Sequence, residues 1–114
     1  MQKKDITQLK TDVIVNDTIV PLNEFTQNYI GNVLRSIVAS LGHSSKDVAV
    51  HIDNTGLSIY TEAGELPLLK DFARLLVEST VKGLISPLKG VFWLQNLSVM
   101  TKDVSGESAV SEQG

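Results

Sequence analysis

From Leu22 to Leu41 the apolar residues recur every three or four positions: Leu22, Phe25, Tyr29, Val33 and Ile37, flanked by Ile30, Leu34, Val38 and Leu41. That spacing is one face of a helix. Asn23 is placed to cap it, Glu24 suits the positive end of its dipole, and Gly42 supplies a left-handed stop. Ahead of it, Val13-Ile14-Val15 and Thr18-Ile19-Val20 bracket Asn16-Asp17, a pair that tolerates positive φ and so predicts a tight hairpin. Further on, Val48, Val50 and Ile52 alternate with Ala49, His51 and Asp53, and Leu57 and Ile59 alternate with Ser58 and Tyr60. Joined by Asp53-Asn54-Thr55-Gly56, these two runs predict a second hairpin. Pro67, favoured in a first helical turn, leads into a second helical pattern from Leu68 to Ile85, and Pro87 ends it. Val91 to Met100 is β-branched, aromatic and apolar enough for a long last strand, with Phe92 and Trp93 on opposite faces.

The elements therefore run hairpin, helix, hairpin, helix, strand. This contains the β-α-β-β-α-β order of the ferredoxin-like superfold, an α+β architecture in which an antiparallel sheet carries two helices on one face. Here the order is preceded by an extra short hairpin strand. Residues 1–12 form an N-terminal extension, partly frayed, residues 13–100 a single α+β domain, and residues 101–114 a disordered C-terminal tail of Ser, Gly and Glu with few apolar anchors. Placing Glu24 on Asp71 also puts Phe25 on Phe72, Arg35 on Lys82 and Leu41 on Leu88, which hints at two related halves. Two amphipathic helices align this well by periodicity alone.

The helices carry more apolar surface than one sheet needs. At about 100° per residue, the second puts Phe72, Leu75 and Leu76 on one side and Ala73, Val77, Val81 and Leu84 on the adjoining side. Its charges, Lys70, Arg74, Glu78 and Lys82, form one narrow ribbon with Val77 and Val81 at its border. A helix lying on a sheet needs an apolar stripe of a little over ~100°, and this arc is wider. The first helix shows Asn28, Asn32 and Arg35 on its polar side, few charges for a solvated face. Ala73, Val77, Val81 and Leu84, with Asn28, Asn32 and Arg35, are accordingly the expected interaction surface. Symmetric self-association is its first expected use.

Composition narrows the chemistry. The 114 residues carry ten Lys and Arg against thirteen Asp and Glu, a net charge of −3, without the basic cluster that phosphate neutralisation requires. Nucleic acid is therefore excluded as an expected partner. A mixed-sign polar face on each helix and the lack of any span-length apolar run argue against a membrane. The polar start of the chain has no signal-like apolar core, so a cytoplasmic protein is the expectation. Without cysteine there is no disulfide, no thiolate nucleophile and no Cys-ligated metal, and the two histidines lack ligand spacing. The glycines form no phosphate loop. No catalytic residue, cofactor or metal is expected.

One constellation bears weighing. His51 projects to the same side of its strand as Asp53, and the facing strand offers Ser58 and Tyr60. A histidine beside a carboxylate and a hydroxyl is the minimum for proton transfer. The same residues also populate the solvated side of any half-exposed hairpin by alternation. The sequence thus supports a small cytoplasmic protein-interaction or regulatory module, homo-oligomeric or bound to another protein. The alternative is a small-molecule-binding domain or minor enzyme with a cleft near His51, Asp53, Ser58 and Tyr60.

Overall fold

The computed structural model describes residues 9–67, 70–88, 91 and 95–104. Its elements are β1 (Leu9–Val15), β2 (Thr18–Val20), α1 (Glu24–Ser40), β3 (Val48–Asp53), β4 (Gly56–Thr61), β5 (Gly64–Glu65), α2 (Asp71–Ile85) and β6 (Leu97–Asp103). The protein is α+β: the strands form one antiparallel sheet in the order β2-β1-β6-β3-β4-β5.

The local signals act as their chemistry requires. Asn16 and Asp17 both take positive φ, 50° and 69°, which gives the β1–β2 hairpin a turn matched to strand twist. Asn16 also ties this turn to the start of β6, its Oδ1 accepting from the backbone N–H of Gln95 and Asn96 at 2.9 Å each. The Asn23 side chain caps α1 by accepting from Thr26 N–H at 2.8 Å. At the other end Gly42 adopts φ 92°, and the N–H groups of Gly42 and His43 return to the carbonyls of Ala39 and Val38. That is a Schellman stop, and it uses His43 through its backbone.

Two strands extend differently from the sequence pattern. β1 starts at Leu9, inside the segment expected to be an extension, and β6 runs on through Thr101 to Asp103, inside the expected tail. In both an inward position is filled by threonine, beside Leu9 in β1. Thr11 and Thr101 are buried on the core face, where Thr11 donates its hydroxyl to the Gln27 carbonyl at 2.7 Å and meets the Thr101 hydroxyl at 2.9 Å. A hydroxyl has one proton, so Thr101 is the donor in that pair. At its other end β6 begins at Leu97, not Val91, and Phe92 and Trp93 lie outside the described residues. α2 begins at Asp71; Pro67 lies outside it because Leu66 N–H still bonds the Ile59 carbonyl along the sheet edge. Leu68 and Leu69 are also outside the described residues.

The core lies between the sheet and both helices. Val20, Val13, Val99, Val50 and Ile59 form one row across five strands, and against this face pack Ile30, Leu34 and Val38 of α1 and Val77, Val81 and Ile85 of α2. The sheet order does not support the ferredoxin-like expectation. In that arrangement the first strand lies inside the sheet, between the last strand and the second hairpin; here β6 takes the inside place, paired with β1 on one side and β3 on the other. The reason is local. The Asn16-Asp17 turn reverses the chain before α1, so the strand feeding the helix is the three-residue edge strand β2.

Candidate interaction surface

The roll of α2 on the sheet decides which apolar residues remain outside. Val77, Val81 and Ile85, spaced one turn apart, are the side chains that α2 buries, and Val81 is fully buried. This corrects the sequence expectation, because Val81 belongs to the core and Leu84 packs partly against it. The charged ribbon borders the core instead of facing outward: Arg74, Glu78 and Lys82 are half-buried, and Lys82 pairs with Glu78 at 2.9 Å. Long charged side chains can lie along apolar surface while their heads reach water. Phe72, about 180° round the helix from Val81, therefore points outward. Phe72, Leu75 and Leu76 are 74%, 62% and 55% exposed.

α1 behaves in the same way. Ile30, Leu34 and Val38 are buried, and Phe25 and Tyr29 stand out at 74% and 53% exposure with their rings stacked, centroids 5.9 Å apart. Beyond them the exposed residues of α1 are Asn32, Ser36, Ala39 and Ser40. On α2 the exposed residues after the first turn are Leu75, Leu76, Ser79, Thr80 and Gly83. The exposed charges on the two helices are Glu24 and Asp71, each the first residue of its helix. The other exposed residues are uncharged, while Arg35, Arg74, Glu78 and Lys82 are half-buried, with the Lys82 side chain 40% exposed beside Glu78.

The two helix surfaces are continuous. A recess of about 310 Å³ is lined by Tyr29, Asn32, Val33, Ser36, Ile37 and Ser40. It meets a groove of about 280 Å³ between the helices, lined by Ile37, Ser40, Leu41, Ala73, Leu76, Val77 and Thr80. Ala73, half-buried, and Val77, buried, both line this groove, so Val77, like Val81, belongs to the core. Of the polar residues expected on this surface, Asn28 is used within the chain, accepting from Leu9 N–H at 2.9 Å and donating to the Glu24 carbonyl at 3.2 Å. Asn32 is exposed and Arg35 half-buried.

The His51 constellation lies on the sheet's other face and is not assembled as the sequence suggested. Asp53 turns back into its own hairpin, where Oδ1 accepts from the Thr55 hydroxyl at 2.6 Å and the Thr55 N–H at 2.8 Å. Those bonds, the hydroxyl's first, hold its carboxyl below the usual carboxylate range. His51 instead hydrogen-bonds Ser98 through Nδ1 at 2.8 Å and packs edge-on against Tyr60, ring centroids 5.6 Å apart. Ser58 sits opposite His51 on β4 but borders a separate recess of about 500 Å³ with Glu65 and Arg74. Tyr60 borders another, with Met100 and Lys102. Ser98 is the partner that sequence reasoning missed, since only the β3–β6 register places it beside His51.

Among the described residues no three His, Asp or Glu side chains gather as metal ligands, and no helix is long and apolar enough to cross a membrane. No protein family, characterised protein or solved structure matches this chain.

Proposed function

We propose that this protein is a cytoplasmic protein-interaction module that works by assembling with further copies of itself, using the outer surface of α1 and α2. The observation that carries the reading is the uncharged exposed surface of both helices beyond their first residues, with Phe25, Tyr29, Phe72, Leu75 and Leu76 standing out from it. At about 200 Å² per aromatic side chain and somewhat less per leucine, these five expose on the order of 600 Å². That is the upper end of the largest patch on a typical monomer, roughly 300–600 Å², and approaches the ~800 Å² that each partner gives to a standard interface. Asn, Ser, Thr and Gly between the large residues keep the surface low enough for another backbone to approach. Self-association is favoured over a basic or acidic partner because the surface offers no cluster of one charge for such a partner to complement, Lys82 being paired with Glu78.

Light scattering on the purified chain over a concentration series tests this. The unmodified protein is expected to run as a dimer or larger assembly, and Leu76→Glu to run as a monomer with unchanged circular dichroism. A monomeric unmodified protein throughout the series would overturn the reading.

A further inference from the structure

We infer that the assembly is built around α1, which pairs antiparallel with α1 of a second copy about a two-fold axis passing beside Asn32; this rests on the self-assembly reading above. The exposed stripe of α1 is divided along its length. Its first half carries the stacked Phe25 and Tyr29, and its second half carries the small residues Asn32, Ser36, Ala39 and Ser40. A recess of about 310 Å³ runs along that second half from Tyr29 past Asn32 and Ser36 to Ser40. One face thus holds large residues at one end and, beginning beside Tyr29, a hollow bordered by small ones at the other.

A two-fold interface is self-complementary: if one position meets a second across it, the second meets the first. For antiparallel helices centred at Asn32, Phe25 falls opposite Ala39, Tyr29 opposite Arg35 and beside Ser36, and Asn32 opposite itself. Phe25 then meets a small residue, and Tyr29 meets the half-buried Arg35 with a small residue next to it. A parallel pairing would set aromatic on aromatic at one end and hollow on hollow at the other, which leaves a void. Antiparallel pairing also opposes the helix dipoles. At the centre, an asparagine amide carries both a donor and an acceptor and so can pair with its own copy, a device that fixes register where helices meet. The recess shares Ile37 and Ser40 with the groove beside Leu76, so the partner's Phe25 comes near α2 as well. Leu76 is in this way part of the same contact.

The chain has no cysteine, so introduced thiols report geometry cleanly. Asn32→Cys lies on the axis and is expected to oxidise to a covalent dimer in most chains. Glu24→Cys and Ser40→Cys should each stay unlinked alone and form a mixed dimer when combined. These exposed positions leave folding intact, which circular dichroism checks. If the unmodified chain is a dimer by light scattering, but Asn32→Cys fails to cross-link and Tyr29→Ala leaves the mass unchanged, the α1-centred geometry is wrong and self-assembly stands. If the unmodified chain is a monomer, both fall.

Discussion

Gly31 of α1 rests directly on Thr101 of β6: a Cβ built on Gly31 would lie 2.5 Å from the Thr101 hydroxyl oxygen and 2.7 Å from Leu9 Cδ1. A mid-helix glycine normally costs about 1 kcal/mol relative to alanine, and this contact is what offsets it. The helix can settle onto the Thr11–Thr101 pair because position 31 has no side chain. Gly31→Ala should therefore destabilise the fold by about 1–2 kcal/mol net, the overpacking cost exceeding the gain in helix propensity. Urea unfolding measures it, and an alanine variant as stable as the unmodified chain would show that the helix and sheet do not meet this closely.

The two threonines make a second prediction. Thr11 serves the Gln27 carbonyl and the Thr101 hydroxyl at once, whereas Thr101 serves only the pair. Thr11→Val leaves a buried hydroxyl and a carbonyl without their partner, which costs about 1–3 kcal/mol. Thr101→Val should cost less. The double variant should be no less stable than Thr11→Val alone, because the second change removes the stranded hydroxyl. A double-mutant cycle by denaturant unfolding reads this non-additivity; simple additivity of the two losses would contradict it.

The same threonines mark the limit of what sequence shows. Asn16-Asp17, the Asn23 cap and the Gly42 stop were legible because each acts through a few neighbouring residues. Leu9-Lys10-Thr11-Asp12 and Thr101-Lys102-Asp103 continue the strand alternation, but with a threonine hydroxyl on the buried side of each and Leu9 as the one buried apolar residue, too few for a hydrophobic pattern to register. The place of β6 between β1 and β3 depends on pairings between distant residues. Ser98 meets His51 for that reason alone. The roll of α2 misled in another way: its charges suggested a solvent side, yet Arg74, Glu78 and Lys82 flank the core while Phe72 and Leu75 face outward. The surplus of apolar helix surface was legible in the sequence; which residues form it was not.

Acid stability should depend on Glu62. The Ser45 hydroxyl, donating at 2.6 Å, and the Asp47 N–H, donating at 3.2 Å, hold its carboxyl well below its ordinary 4.5, at about 2. Since the folded value is the lower one, the ionised form stabilises the fold fully above about 4.5, and that contribution fades as pH falls from there towards 2. Asp53, lowered by Thr55, acts in the same direction. Carboxyl titration by nuclear magnetic resonance should find Glu62 near 2, and Ser45→Ala should return it towards 4.5 while flattening the fall of stability between those two pH values. A Glu62 that titrates normally in the unmodified protein would remove this account of the Ser45–Asp47 loop.

Two substitutions one face apart on α2 should separate folding from assembly. Val81 is fully buried against the sheet, so Val81→Glu places a carboxylate where nothing pairs with it, and such burial costs several kcal/mol or abolishes the fold. Leu75 is exposed about 120° round the helix from Val81, and Leu75→Glu introduces an unpaired charge among exposed residues that are uncharged beyond the helix starts. It should leave the thermal unfolding of the isolated chain within about 0.5 kcal/mol, as surface changes do. It should nonetheless disperse the assembly, because an interfacial charge without a partner is left desolvated. Circular dichroism and light scattering on the two variants give opposite patterns: unfolded for Val81→Glu, folded and monomeric for Leu75→Glu. A folded Val81→Glu would show that α2 lies on the sheet with a different side. An assembly that survives Leu75→Glu would move the contact off this part of the helix and onto α1 alone.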